Sequence, residues 1–376
     1  MTRDDTDAEL LSACVAAHPL GKVGALTPDQ FQMLCRDMHG AFPDAVRRNI
    51  LGTVEVGVAQ DLSEQAEVDI GAPEPSPVDY DWRFDGSTAR FLAKALVERR
   101  YQDVLCVGTP TVYGAVRATG RNAFLIDRNP LLARTLPKGT FLVKEISADD
   151  KLTGYVDRSF DAAVVDPPWY PEAYELWLAR TLPLLRPGAD VFLVVFRRFV
   201  RPRAEQERME LLKRLETIGR VSQVLTEIVY STPPFEQQVL RHLQLPRLPS
   251  WRAADLFRIT LRPDADLSVF KTTSWAVDKW DRFDFGDQVV AVRDIPNDWG
   301  PIQVSSDLSV EVRSVSQRDP VRARYTVWTS RSRAAVVRGT RRLSAILANP
   351  SATAADQQDL KVACELSRRL DFQIRR

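Results

Sequence analysis

Phe160-Asp161-Ala162-Ala163-Val164-Val165-Asp166-Pro167-Pro168-Trp169-Tyr170 is the stretch on which the reading of this chain turns. Ala162 to Val165 is unbroken apolar sequence, as expected of a strand covered on both faces in a parallel sheet. Two prolines then fix φ and remove N–H donors, so the strand must stop and the turn is stiff. A rigid turn at the C-terminal end of a strand is where open α/β sheets place their ligands. The Asp166 carboxylate and the Pro167 carbonyl offer acceptors to a substrate NH2, while the aromatic ring that follows packs against the group carrying it. A plain surface turn is the alternative, but four chemically apt residues in a row at a strand end seldom arise by accident.

The flanking sequence alternates strands with helices. Ser87 to about Arg100 reads as a helix, with Phe91, Leu92, Ala95 and Leu96 at helical spacing. Asp103 to Gly108 is a buried strand that breaks into Thr109-Pro110-Thr111-Val112-Tyr113 and a helix through Arg117. Ala123 to Asp127 is a second strand, ending in an acid 19 residues beyond Gly108. Thr140 to Lys144 is a third, and the quoted stretch is the fourth. A helix from Pro171 to Leu185, a turn at Leu185-Arg186-Pro187-Gly188-Ala189-Asp190 and a fifth strand from Val191 to Phe196 follow. A helix over about 204–218 leads to strands near 221–230 and 254–261, expected to form a hairpin. This order predicts a parallel, doubly wound sheet of seven strands over about 80–263.

The remainder divides around that core. Residues 1–70 read as a small helical module, with Thr27-Pro28-Asp29-Gln30 a strong helix start. Within it Cys14 and His18, and Cys35 and His39, are each four apart, so two helices could offer Cys2His2 to zinc. A structural core without metal is the better expectation, because the tight Cys-x2-Cys turn is missing. Residues 71–79 are a proline-containing linker. The α/β domain spans 80–265, and 266–376 is an extension: aromatic, turn-rich and β-rich first, then two helices at about 331–347 and 353–371. Four cysteines among 376 residues are too few and too scattered for a disulfide framework. No apolar run reaches the roughly 18 residues of a spanning helix, and Met1-Thr2-Arg3-Asp4-Asp5 lacks a signal peptide's positive start. No membrane association and a cytoplasmic setting are expected. Residues 1–80 carry 14 acids against 5 bases, whereas 312–345 carry nine arginines against Asp319 alone. That Arg-rich region is expected to meet the substrate, a nucleic acid or a protein.

The chemistry follows from three strand ends. A small-residue turn at Gly108 lets backbone approach a ligand, and Asp127 is placed to accept from ribose hydroxyls. One glycine rather than three, and no Walker lysine, disfavour a pyrophosphate. A cofactor with ribose and adenine but no phosphates fits, and S-adenosylmethionine is such a molecule. No metal is required.

Tyr80-Asp81-Trp82-Arg83-Phe84-Asp85-Gly86-Ser87-Thr88, then Val104-Leu105-Cys106-Val107-Gly108-Thr109-Pro110-Thr111-Val112-Tyr113, then Asp166-Pro167-Pro168-Trp169 resemble the probable N6-adenine methyltransferase family, which includes the elongation-factor 1A lysine methyltransferases. Leu185-Arg186-Pro187-Gly188-Ala189 is similar to the methyltransferase turn before strand five. The resemblance covers about 80–262. It implies a class I, Rossmann-like methyltransferase fold binding S-adenosylmethionine. It also implies that Phe84, Gly108, Thr109, Pro110 and Asp127 line the cofactor, with Trp82 nearby, and that Asp166, Pro167, Pro168 and Trp169 hold the acceptor, with Tyr170 beside them. The expected reaction is N-methylation of an amino nitrogen, either adenine N6 in nucleic acid or a protein lysine. The alternative is a catalytically inactive methyltransferase-like binding or scaffold module in a larger complex.

Overall fold

The computed structural model describes residues 75–79, 81–148, 151–156, 159–198, 200, 203–242, 252–272, 278–286, 288–305, 310–311, 322–349 and 357–374. The expected module at 1–70 and the Cys14, His18, Cys35, His39 constellation lie outside the described residues. The chain divides into two compact units. Described residues of the first fall within 82–232 and 248–275, those of the second within 73–81, 233–247 and 276–376.

In chain order the first unit holds β1 (Arg83–Phe84), α1 (Gly86–Glu98), β2 (Asp103–Val107), α2 (Pro110–Ala118), β3 (Asn122–Asp127), β4 (Phe141–Val143), β5 (Phe160–Val165), α3 (Pro171–Thr181), β6 (Leu185–Phe196), α4 (Ala204–Glu216) and β7 (Gly219–Ser231). α5 (Pro234–His242) falls in the second unit, and β8 (Arg252–Leu261) returns to the first. The sheet order is β1-β7-β8-β6-β5-β2-β3-β4. β4, β3, β2, β5 and β6 run parallel, and β8 is antiparallel to both β6 and β7. The expected α/β sheet is therefore present, with two differences. β7 and β8 pair as expected, but β8 sits between β6 and β7, and a helix rather than a tight turn joins them. The two-residue β1 adds an eighth strand beside β7.

β5 is buried because the sheet is covered on both faces: Ala162, Ala163, Val164 and Val165 are all fully inaccessible. Each such valine contributes roughly 1.5–3 kcal/mol of transfer free energy. β6 begins earlier than its sequence suggests. Leu185 pairs with Phe160 and Asp190 with Ala162, so residues 186–189 loop out opposite Asp161. Arg186 in that loop bridges Asp103 at 2.9 Å and also pairs with Asp161. The Arg-Pro-Gly turn thus ties β2, β5 and β6 together at their starts, and the opposite ends are left for the site.

The second unit contains β9 (Trp280–Asp284), β10 (Val289–Arg293), β11 (Gln303–Val304), β12 (Val310–Glu311), β13 (Val327–Thr329), β14 (Arg333–Ala335), β15 (Val337–Arg338), α6 (Thr340–Ala348) and α7 (Gln357–Arg369). Its larger sheet is antiparallel, in the order β12-β14-β13-β10-β9, and β11 pairs with β15. Val290, Val327, Leu343, Ile346, Leu366 and Leu370 form its core. The helix expected over 331–347 is only partly present. Residues 333–338 are two short strands instead, and α6 begins only after Gly339, whose φ of +75° suits a glycine. Of the nine arginines, Arg341 pairs with Asp294 at 2.6 Å and Arg342 with Asp359 at 2.7 Å, whereas Arg324 and Arg338 are exposed. Among the described residues no helix is long and apolar enough to cross a membrane.

Candidate active site

β2 and β5 are neighbours at the point where the chain order reverses. From β2 it proceeds outward to β3 and β4, and from β5 it proceeds the other way to β6. Ligands of open α/β sheets bind at such a switch point, beyond the carboxyl ends of the strands. Gly108 and Asp166 stand there side by side. The Gly108 amide donates to the Ile126 carbonyl at 2.9 Å, and the Asp166 amide donates to the Val107 carbonyl at 3.2 Å. The ladder therefore runs to its last residue on both strands before the two turns part.

Gly108 has a φ of +65°, and the space beside it is already taken. The side where a Cβ would stand is filled by the Trp177 indole from α3, at 2.9 Å, with the Asp166 carbonyl at 3.3 Å. The glycine admits an internal aromatic ring as well as a left-handed turn. Thr109 caps α2 with its backbone only, and Pro110 occupies the first helical position, where no N–H is needed. The buried Thr111 hydroxyl, one residue on, has no hydrogen-bond partner among the described residues. Asp127 ends β3, adjacent to β2, and one of its oxygens accepts from the Asn129 amide at 2.9 Å. Burial pushes the Cys106 thiol up to about 12, opposed by the Thr109 hydroxyl. Cys106 is therefore a packing residue.

The acceptor side is built around Asp166. Tyr230, near the end of β7, donates its hydroxyl to both carboxylate oxygens, at 2.9 and 3.0 Å. Phe84 lies against the Tyr230 ring at 4.7 Å between centroids, with Trp169 at 6.1 Å and Trp82 at 6.4 Å, both edge-on. The short β1 explains this grouping: Phe84 pairs with Tyr230 and Arg83 with Ser231. The Asp85 carboxylate then caps α1 through the Thr88 amide at 2.7 Å. Arg252, the first residue of β8, is the cross-strand partner of Tyr230. Its guanidinium lies between two indoles, 4.7 Å from the Trp82 centroid and 4.6 Å from that of Trp169.

Burial pushes the Asp166 carboxyl up to about 7, opposed by the Tyr230 hydroxyl bond and the Arg252 charge. Burial and the neighbouring Asp166 charge hold the Tyr230 phenol well above its ordinary value, so it stays a donor. Pro167 is buried, and among the described residues no hydrogen bond reaches its carbonyl. Tyr170 donates its amide to the Pro168 carbonyl at 2.6 Å and accepts from the Ala173 and Tyr174 amides, starting α3. Asp166, Trp169, Phe84 and Trp82 thus gather around Tyr230, with Gly108 against Asp166, so Phe84, expected to line the cofactor, packs with the acceptor-side residues. Tyr230 and Arg252 were not expected. Tyr230 precedes Ser231-Thr232-Pro233-Pro234-Phe235, a second Pro-Pro-aromatic strand end that could have drawn attention to it.

Residues 81–238 match the family model described as probable N6-adenine methyltransferase. This segment is similar to that family, over less than half of the chain. The sheet order, with β8 reversed between β6 and β7, is that of the class I methyltransferases. Two solved structures illustrate what this chain is similar to. One is the branched-chain polyamine synthase of Thermus thermophilus, in complex with N4-aminopropylspermidine and 5'-methylthioadenosine: 14% identity over 73% of this chain and 92% of that one, TM-score 0.49. The other is the N-methyltransferase NodS from Bradyrhizobium japonicum WM9, in complex with S-adenosyl-l-homocysteine: 13% identity over 50% and 88%, TM-score 0.31. None of the curated proteins matches the chain.

Proposed function

We propose that the first unit is an S-adenosylmethionine-dependent N-methyltransferase that methylates an amino nitrogen held by Asp166 and the Pro167 carbonyl. The observation that carries this reading is the Asp166 carboxylate: desolvated at a strand end, titrating near neutrality, and held by Tyr230. The buried Thr111 hydroxyl without a partner, the left-handed turn at Gly108 and the Asp127 carboxylate suit a ligand with polar groups and no phosphates. Thr109, Thr111, Asp127 and Phe84 are the residues that would hold the cofactor, which when bound supplies an electrophilic methyl group.

An NH2 acceptor has two hydrogens to place. Asp166 takes one and the Pro167 carbonyl the other, which fixes the nitrogen lone pair toward the methyl donor. A carboxylate has about four lone-pair sites, so Tyr230 leaves room for the acceptor. Transfer would replace the cofactor's sulfur–methyl bond by a nitrogen–methyl bond and leave a neutral thioether; the positive charge that nitrogen gains would lie beside Asp166, whose carboxylate would take the proton that nitrogen must lose. A base titrating near 7 is poised for this at neutral pH.

The test is S-adenosylmethionine binding by calorimetry, followed by radiolabelled methyl transfer to the DNA, RNA and protein fractions of a lysate. Binding without transfer to any fraction would sink the enzyme reading. Tyr230→Phe is expected to shift the midpoint of the pH–rate profile upward from about 7, because the hydroxyl bond that it removes opposes burial. A profile unmoved by that change would show that Asp166 ionisation does not govern the rate. We further propose that the Arg-rich region 312–345 holds the nucleic acid or protein that carries the acceptor. For a nucleic acid, reversing the exposed Arg324 and Arg338 to Glu should weaken binding and reduce its salt slope by about one for each phosphate no longer neutralised. An unchanged slope would exclude those two arginines from the nucleic-acid surface.

A further inference from the structure

We infer that Arg252 sets the charge of the acceptor. It fills the aromatic cage beside Asp166 with a cation of the protein's own, and so excludes an ammonium acceptor and favours a neutral amino group on a planar ring. The inference rests on the methyl-transfer reading and narrows it. Indole faces are the surfaces that bind a substrate ammonium in cation-recognising sites. Here Trp82 and Trp169 each present a face to the Arg252 guanidinium, at 4.7 and 4.6 Å. A guanidinium does not lose its proton in a protein, so the cage is permanently occupied by charge.

A second cation entering beside Asp166 would come close to that charge. At a separation of about 5 Å and an effective dielectric of roughly 20, repulsion weakens binding on the order of a hundredfold. Asp166 attracts such a cation as well, but its charge already faces the Arg252 guanidinium, so the repulsion from Arg252 acts against that attraction. A neutral amine meets no such penalty, because it needs only acceptors, and a flat ring can stack on a guanidinium plane. The placement is built into the sheet. Tyr230 and Arg252 face one another across β7 and β8, so both side chains rise from the same face. Arg252 also lies beyond residue 238, where the family match ends, so the match itself says nothing of it.

The experiment titrates the wild-type chain, Arg252→Gln and Arg252→Lys with a lysine-containing peptide and with 9-methyladenine, each in the presence of S-adenosylhomocysteine. Arg252→Gln is expected to gain at least about tenfold in affinity for the peptide relative to wild type. Arg252→Lys, which keeps the charge, should exclude the peptide as wild type does. Adding Asp166→Asn to Arg252→Gln should remove the gain, placing it at this site. If wild type binds the peptide as tightly as Arg252→Gln does, the inference is wrong. Failure of the methyl-transfer reading looks different: S-adenosylmethionine is then not bound by wild type, whatever the acceptor titrations give.

Discussion

Asp166→Asn is expected to lower methyl transfer by about a hundredfold to a thousandfold while S-adenosylmethionine still binds, and to make the fold more stable at pH 8. The loss arises because an amide can still accept a hydrogen bond from the acceptor amine but can neither take its proton nor stabilise its charge. The gain in stability arises from the same burial. The Asp166 carboxyl is raised from 3.8 to about 7, with burial the main cause. The folded state therefore holds that proton more tightly than the unfolded chain does. Between about pH 4 and pH 7 the unfolded carboxyl ionises freely and the folded one does not, so the wild-type fold loses stability as pH rises through that window. Asparagine has no such dependence. The difference between variant and wild type should be near zero at the acid end, grow through neutrality and level off above pH 8. Each pH unit corresponds to about 1.4 kcal/mol, and partial exposure of Asp166 reduces the whole to about 2 kcal/mol. Denaturant unfolding at pH 5 and pH 8, beside the methyl-transfer assay, measures both effects. Equal destabilisation at the two pH values would mean that Asp166 is a structural residue.

A side chain that destabilises the fold yet stands at a switch point is the pattern of a retained functional group. Asp166-Pro167-Pro168-Trp169 was legible because the run before it is apolar on both faces, which only a doubly covered strand requires, and because prolines fix where it ends. Gly108 and Asp127 were legible as ends of similar strands. Tyr230 and Arg252 were not, since what joins them is antiparallel register between strands separated by a helix, and register leaves no local periodicity. β1 was missed because two residues cannot show alternation. The helix expected at 331–347 failed for a related reason. Ala334 and Ala335 are both buried, between half-buried Arg333 and buried Val337, so these short strands show no alternation, and alanine suits either period. The Arg-rich region read as one positive surface, whereas Asp294 and Asp359, both distant in sequence from their partners, neutralise two of its members.

Gly108→Ala carries the second large effect, on stability and on cofactor binding together. A non-glycine residue at a φ of +65° costs about 1–2 kcal/mol, and the new methyl carbon would lie 2.9 and 3.0 Å from two carbons of the Trp177 ring. Overpacking of that kind typically costs about 1–3 kcal/mol. The ring belongs to α3, which starts directly after the Asp166-Pro167-Pro168-Trp169-Tyr170 turn, so it cannot move away without disturbing the acceptor site. The chain cannot yield on the other side either, where the Asp166 carbonyl lies 3.3 Å from the same position. The variant is expected to lose about 3 kcal/mol by denaturant unfolding and to bind S-adenosylmethionine at least tenfold more weakly. Two further variants separate the causes. Trp177→Leu combined with Gly108→Ala should be less destabilised than the sum of the single changes, since removing the indole relieves the clash but not the backbone strain. Gly108→Asn should keep the clash while tolerating the left-handed backbone better than alanine. Strict additivity in the double variant would show that the indole is not what excludes a side chain here. The glycine would then answer to backbone conformation alone, and the coupling between the first turn and the acceptor turn through Trp177 would have to be given up.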